Sequence, residues 1–320
     1  MLPVLCEVVR SGMVESRHRG SHVLLDAAGD PELILGDGDA PVLPRSSLKP
    51  LQAVGMLRAG LGLTGAPLAL ACASHSGEPV HIDLCRSVLA GAGLDEAALG
   101  NPPGLPLGSG AMEDLLRAGG HADPIHHNCS GKHAAMVATC VARGWPVDGY
   151  VDPGHPVQLA IRDAIEDLAG ERVGVVATDG CGAPAFAVSL TGLARAFARL
   201  ATAPAGTPEA HVADAMRAHP GLVGGRGRGV TEMMHAVDGL VAKEGAEGVC
   251  AAALGDGRAL ALKVDDGARR ALGPVVSAVL SRWDVSAAAL DHWVAPAVLG
   301  GGEQVGELRM AASDILGARG

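Results

Sequence analysis

Pro44 and Pro50 bracket Arg45-Ser46-Ser47-Leu48-Lys49, and Leu51-Gln52-Ala53-Val54-Gly55-Met56-Leu57 continues as a largely apolar run. The pattern predicts a helix over about 46–60, ending at Gly60, where a left-handed cap is expected. Residues three apart share a helix face, so the Lys49 amine can stand over the Ser46 hydroxyl. Such a pair suits a serine hydrolase whose general base is lysine. Burial would help, because desolvation disfavours the charged form of an amine. Ser-x-x-Lys is common by chance, and the competing reading is an N-cap serine beside a snorkelling lysine.

The rest of the chain bounds the choice. At 320 residues it is long enough for one large domain or two, and no linker, repeat or low-complexity tract divides 1–320, so a single catalytic domain is expected. A formal charge of −10 argues against nucleic-acid or anionic-membrane partners, and 2% aromatic residues are too few for a base-stacking platform. The core must then be assembled from Ala, Val and Leu. Met1-Leu2-Pro3-Val4-Leu5-Cys6-Glu7-Val8-Val9 reads as a strand and not a signal peptide, and no run approaches the ~18 apolar residues of a membrane span. Seven cysteines in mostly apolar settings suit a reducing, cytoplasmic location.

Strands are expected over 4–9 and 20–26, with a hairpin into 32–37. The charged stretch Val14-Glu15-Ser16-Arg17-His18-Arg19-Gly20 between them reads as a solvated connection or a loop over a site. The apolar run Ala66–Ala73 leads into Ser74-His75-Ser76-Gly77-Glu78, either a helix start or further site residues. Helices are expected over about 79–92, 112–118, 131–143, 155–168, 190–202 and 208–218. The 131–143 helix opens with Asn128-Cys129-Ser130-Gly131-Lys132-His133, where a helix N-terminus would favour a Cys129 thiolate; a capped helix with a buried cysteine is the alternative. An extended segment over 173–178 ends in Asp179-Gly180-Cys181-Gly182-Ala183-Pro184, whose glycines allow close backbone approach. Gly221–Gly229 is glycine-rich but lacks the preceding strand of a phosphate loop. Lys243-Glu244-Gly245-Ala246-Glu247-Gly248 leads to a hairpin over 249–264 and a helix over about 267–281.

Taken in order, the stretches at 14–20, 45–50, 74–78, 128–133, 179–184 and 243–248 resemble the bacterial L-asparaginase II family, the Rhizobium-type amidohydrolases. Asn-Cys-Ser-Gly-Lys-His is the most specific of them. The family is similar in fold to serine β-lactamases and glutaminases, which implies an α/β (α+β) fold: an antiparallel sheet flanked by helices, with a helical region beside it. The resemblance implies hydrolysis of the side-chain amide of L-asparagine to L-aspartate and ammonia, with Ser46 as nucleophile and Lys49 as base. Ser74 and Lys243 would form a second serine–lysine pair that protonates the leaving ammonia. Ser76 rivals Ser74, and a solvated lysine in a charged turn is the plain reading of Lys243.

A zwitterionic substrate needs a cation for its carboxylate and an anion for its ammonium, for which Arg45 and Asp179 are candidates; a structural ion pair is their alternative. His133 would help orient the substrate, or is simply a packed helix-face histidine. The resemblance further implies zinc held by Cys129, Lys132 and Cys181, against two buried free thiols or a disulfide, and a homodimer. A glutaminase differs by one methylene, worth only about 1–3 kcal/mol of discrimination. Other readings are a β-lactamase-like or peptidase-like acyl hydrolase, a Cys129 nucleophile activated by His133, and a metal- or amino-acid-binding sensor.

Overall fold

The computed structural model describes residues 1–286 and 296–311. The chain opens with strands β1 (Val4–Arg10), β2 (Met13–Leu25), β3 (Pro31–Leu35) and β4 (Pro41–Val42), followed by a 3-10 turn at Arg45–Leu48. Helices α1 (Lys49–Arg58), α2 (Gly65–Ala71), α3 (Pro79–Gly91), α4 (Ser109–Arg117), α5 (Ser130–Arg143) and α6 (Pro156–Ala169) come next. Short strands β5 (Val176–Thr178), β6 (Pro184–Phe186) and β7 (Val188–Ser189) precede helices α7 (Leu190–Ala201), α8 (Pro208–Ala218), α9 (Pro220–Val223) and α10 (Gly229–Ala236). The chain then returns to β8 (Val241–Gly245), β9 (Val249–Ala253), β10 (Ala259–Val264), α11 (Leu272–Arg282), β11 (Ala297–Gly300) and β12 (Glu303–Met310).

Both ends of the chain build one antiparallel sheet, in the order β11-β12-β1-β2-β10-β9-β8 with β3 also on β2. Helices flank it, so the expected architecture is the observed one. β2 joins the sheet's two halves: Met13–Arg19 pair with β1, and Gly20–Leu25 pair with β10. Residues 14–20 are therefore strand, neither a solvated connection nor a loop over a site. Their charges alternate with the pleat, and Arg17 donates from Nε to Glu7 Oε1 on β1 at 3.0 Å. Alternating charge on an exposed sheet face mimics the composition of a loop.

The first helix is also shorter than the pattern suggests. Arg45–Leu48 form the 3-10 turn, and the α-helix starts at Lys49, with Pro50 in its first turn, where a missing N–H is harmless. Gly60, at φ 103°, lies just past its end as expected. Lys49 through Met56 are all buried, so α1 is a helix enclosed on every side, packed against α5, α6 and α8. A Cβ on Gly55 would lie 2.8 Å from Ile161 Cα and 2.9 Å from the Ala160 carbonyl oxygen, so glycine lets α1 and α6 approach closely.

Small aliphatic side chains fill the core as composition requires, and the only two phenylalanines, Phe186 and Phe197, are both buried. α7 covers one face of β2, β9 and β10, while α11 lies against β1, β10 and β12. The helices at 79–91, 130–143, 156–169, 190–201 and 208–218 lie where the pattern puts them, and the expected 267–281 helix begins as a 3-10 turn before α11. The apolar run at 66–73 is helix α2 as far as Ala71, and α9, α10, β11 and β12 carry no periodic pattern in the sequence. Among the described residues no helix is long and apolar enough to cross a membrane.

Candidate active site

A polar cleft opens where the 3-10 turn, the segment after α2, the N-terminus of α5, the β5–β6 turn and β8 meet. Arg45, Ser46, Ser74, Cys129, Asp179 and Cys181 line it, as do His127, Arg228, Glu244 and Arg269. Lys49, Lys132 and Lys243 stand immediately behind this lining, each only 1% exposed. Three lysines so thoroughly buried require partners. An apolar groove elsewhere, walled by Leu61, Pro67, Val88 and Val141, carries no titratable side chain.

Two of the amines converge on one hydroxyl. Lys49 Nζ lies 3.0 Å from Ser74 Oγ, and Lys243 Nζ lies 3.1 Å from the same atom. Lys49 Nζ also donates to the Ala73 carbonyl at 2.5 Å and lies 3.2 Å from Cys129 Sγ. Lys243 Nζ donates to the Glu244 carbonyl at 2.7 Å. Burial, and after it the charges of Lys49, Arg228 and Arg269, push the Lys243 pKa well below the usual lysine range. The deeply buried position on β8 replaces the picture of a solvated lysine in a charged turn.

Ser46 faces the cleft, and among the described residues its hydroxyl forms no hydrogen bond, to Lys49 or to any other group. The turn that presents it is held from both sides. Ser47 Oγ donates to the Lys243 carbonyl at 3.1 Å. A Cβ on Gly245 would come within 2.2 Å of the Pro44 carbonyl oxygen, so β8 can lie against this turn only with glycine there. Arg45 has φ 54°, a left-handed conformation that costs a non-glycine residue roughly 1–2 kcal/mol. Its side chain is anchored: Nε donates to Asp179 Oδ1 at 2.6 Å. Arg45 and Asp179 thus pair with each other at the cleft wall. Burial opposes ionisation of Asp179, but Lys132 and Arg45 outweigh it and hold the carboxyl below its ordinary range.

The two serines of the Ser74–Ser76 cluster have different surroundings. The backbone from Ser74 to Ser76 is pinned by bonds to Val223, Asn128 and Gly224. Ser76 Oγ donates to the Gly224 carbonyl at 3.1 Å, while Ser74 Oγ faces both amines. Behind the cluster His75 meets Ser130 Oγ at 2.9 Å and stacks on His81 at 5.2 Å. Burial keeps that imidazole neutral.

On the opposite wall, Cys129 and Cys181 are neighbouring free thiols. Interaction with Cys181 holds Cys129 well below the ordinary thiol range, and the same interaction with Cys129 pushes Cys181 up, so the two thiols titrate as a coupled pair. Lys132 Nζ donates to Cys181 Sγ at 3.0 Å. Burial works to strip that amine of its proton, but Cys181, Cys129 and Asp179 together raise its pKa. Cys129 and Cys181 offer the sulfur ligands that zinc favours, and the Lys132 amine would have to give up its proton to join them; among the described residues no group of three or more His, Cys, Asp or Glu is disposed to hold a metal. His133 is fully buried and lies behind the cleft lining. Its Nδ1 meets the Tyr150 hydroxyl at 2.6 Å, which in turn accepts the Gly100 N–H at 2.8 Å. Burial pushes its pKa down to about 4.

His127, Arg228, Glu244 and Arg269 also line the cleft, though no motif marks them in the sequence. His127 Nδ1 accepts the Cys129 N–H at 3.1 Å. Glu244 pairs with Arg269 and accepts the Val230 N–H at 3.1 Å. Glu244 sits directly beside Lys243, and that adjacency was the available signal; Arg228 lies in a glycine-rich stretch weighed only as a phosphate loop.

Among solved structures the chain is similar to a beta-lactamase from Mycobacterium bovis, with 14% identity over 82% of this chain and 94% of that one at a TM-score of 0.45. It is also similar to Mglu in its native form, with 15% identity over 89% of this chain and 69% of that one, again at 0.45. No curated protein matches it significantly. A family model does: the one described as L-asparaginase II matches residues 6–310, a span that contains every cleft residue described above, and the chain belongs to that family.

Proposed function

We propose that this hydrolase is an L-asparaginase that works by serine–lysine acyl transfer. The observation that carries the reading is the hydrogen-bonded chain Lys49–Ser74–Lys243 beside the unengaged Ser46 hydroxyl in one cleft. Ser46 Oγ attacks the side-chain carbonyl of asparagine, and Lys49 takes its proton while passing one of its own through Ser74 to Lys243. Lys243, held neutral by its surroundings in the free site, accepts that proton at the far end, and Ser74 relays it back to the departing ammonia. Water then hydrolyses the acyl-enzyme and releases aspartate.

Arg45 and Asp179 complement the substrate's carboxylate and ammonium. In the free site they neutralise each other, and a zwitterion replaces each partner with an equivalent charge. His133, through Tyr150 on one side and Cys181 on the other, supports the wall that the substrate meets. Cys129, Cys181 and Lys132 are the residues that would hold zinc. When bound, it supplies a positive charge at the substrate-binding wall, while nucleophile and base remain the serines and lysines.

The test is ammonia release from L-asparagine by purified protein, with L-glutamine alongside and Ser46→Ala as control. Asparagine turnover that disappears in the variant is expected. No turnover, even with added zinc, would refute the assignment, and turnover surviving Ser46→Ala would remove Ser46 as nucleophile.

A further inference from the structure

Arg228 sets one end of the cleft apart. It lines the cavity and is half-buried, yet among the described residues its guanidinium has no hydrogen bond and no ion pair. Both carboxylates that line the cleft are already engaged: Asp179 is paired with Arg45, and Glu244 is paired with Arg269 and accepts the Val230 N–H. The cluster of Arg228, Arg269, Lys243 and Glu244 thus has one guanidinium in surplus. A desolvated guanidinium without a partner is unfavourable, and its planar fork is shaped for a carboxylate.

Its location says which part of a substrate it would meet. On the asparaginase reading, Arg45 and Asp179, paired with each other, take the amino-acid head of the acyl group. Arg228 instead lines the cleft two residues before Val230, whose N–H bonds Glu244, the neighbour of Lys243; the Lys243 amine touches Ser74, the group that hands a proton to the departing nitrogen. Ammonia has no use for a cation there. An amino acid departing through its α-nitrogen has one, because its carboxylate lies a single carbon from that nitrogen.

Building on the asparaginase reading, we propose that Arg228 forms a leaving-group subsite for a carboxylate, and that β-linked aspartyl dipeptides are substrates of this cleft. Ser46 Oγ forms a bond to the side-chain carbonyl carbon, and the C–N bond to the second residue breaks. The serine proton passes by way of Lys49 and Ser74 to the leaving nitrogen, and the free amino acid departs. Water then cleaves the acyl ester, so that dipeptide plus water gives aspartate plus one amino acid, with no other reactant.

Three substrates that share the aspartyl group decide the matter: asparagine, N4-methylasparagine and β-aspartyl-glycine, with aspartate release as the common readout. The dipeptide and the methyl amide both carry a substituent on nitrogen, but only the dipeptide has the carboxylate. A charge-assisted contact predicts that kcat/KM for β-aspartyl-glycine exceeds that for N4-methylasparagine by about ten- to a hundredfold. Arg228→Gln should abolish that ratio, and Arg228→Lys, which keeps charge without the fork, should recover part of it. Equal rates for the dipeptide and the methyl amide, alongside normal asparagine turnover, overturn the subsite and leave the asparaginase reading intact. So does an Arg228→Gln variant that lowers all three rates by one common factor, since Arg228 then serves the shared aspartyl part. Dipeptide cleavage without asparagine turnover supports the subsite and corrects the reading on which it was built. Silence on all three substrates refutes both.

Discussion

Lys243→Met separates the two jobs that a buried lysine could have. Methionine has nearly the same volume and no charge, so the packing around β8 survives. The variant loses the hydrogen bonds to Ser74 Oγ and to the Glu244 carbonyl, each worth about 1 kcal/mol. It also removes an amine that is costly to bury, so net stability near pH 8 should change by no more than about 1 kcal/mol, or improve. Catalysis behaves differently. A positioned acid–base group contributes about 10²–10⁴ in rate, equivalent to about 3–5 kcal/mol, and kcat should fall by that factor. The pH dependence supplies an independent check. An unfolded lysine titrates near 10.4, whereas the folded Lys243 titrates well below. Between those values the unfolded chain holds the extra proton, so wild-type stability decreases as pH falls, by about 1.4 kcal/mol per unit. The methionine variant lacks this term, and its advantage over wild type should grow as pH is lowered from 10. Urea titrations at stepped pH and ammonia release would measure both. A kcat within tenfold of wild type, or a variant that loses ground to wild type as pH falls, would refute a neutral, proton-accepting Lys243.

The two serines at 74 and 76 should part company: Ser74→Ala lowers kcat at least about a hundredfold, while Ser76→Ala, which loses only its bond to Gly224, costs about 1 kcal/mol in a urea melt and keeps turnover. Gly245→Ala drives a methyl into the Pro44 carbonyl, so a lower urea midpoint corresponding to about 1–3 kcal/mol is expected, together with reduced kcat from the displaced Ser46 turn. For the metal, equilibrium dialysis of wild-type protein should give one zinc per chain, lost or much weakened in Cys181→Ser; equal zinc uptake by both would move the ion away from this trio.

Local chemistry was readable where it sits on a periodic element. The Cys129–Lys132 spacing brings sulfur and amine to one helix start, and α5 runs where its apolar face predicts. Ser46 and Lys49 do flank a helix start, yet the Lys49 amine turns toward Ser74 and Cys129, a choice made by α2 and α5 and invisible in the spacing. The same holds for Arg45 and Asp179, whose pairing joins positions 134 residues apart. Ser74 and Ser76 differ only through what Lys49, Lys243 and Gly224 bring to them. β2 was obscured because solvent-facing charges alternate along it, and β12 because its partner, β1, lies at the other end of the chain. Arg228 is hidden by its neighbours: the glycines around it lack the preceding strand of a phosphate loop and mark no other site, while the fold uses that stretch to start α10 beside the cleft.

The central claim is that Ser46 carries the acyl group, and the most direct test is to find that group. Protein turning over asparagine is quenched in acid, digested, and its peptides weighed for an added aspartyl mass. The account predicts the adduct on the peptide containing Ser46 and its absence after Ser46→Ala. An adduct on the peptide containing Cys129, whose side chain also lines the cleft, would contradict it.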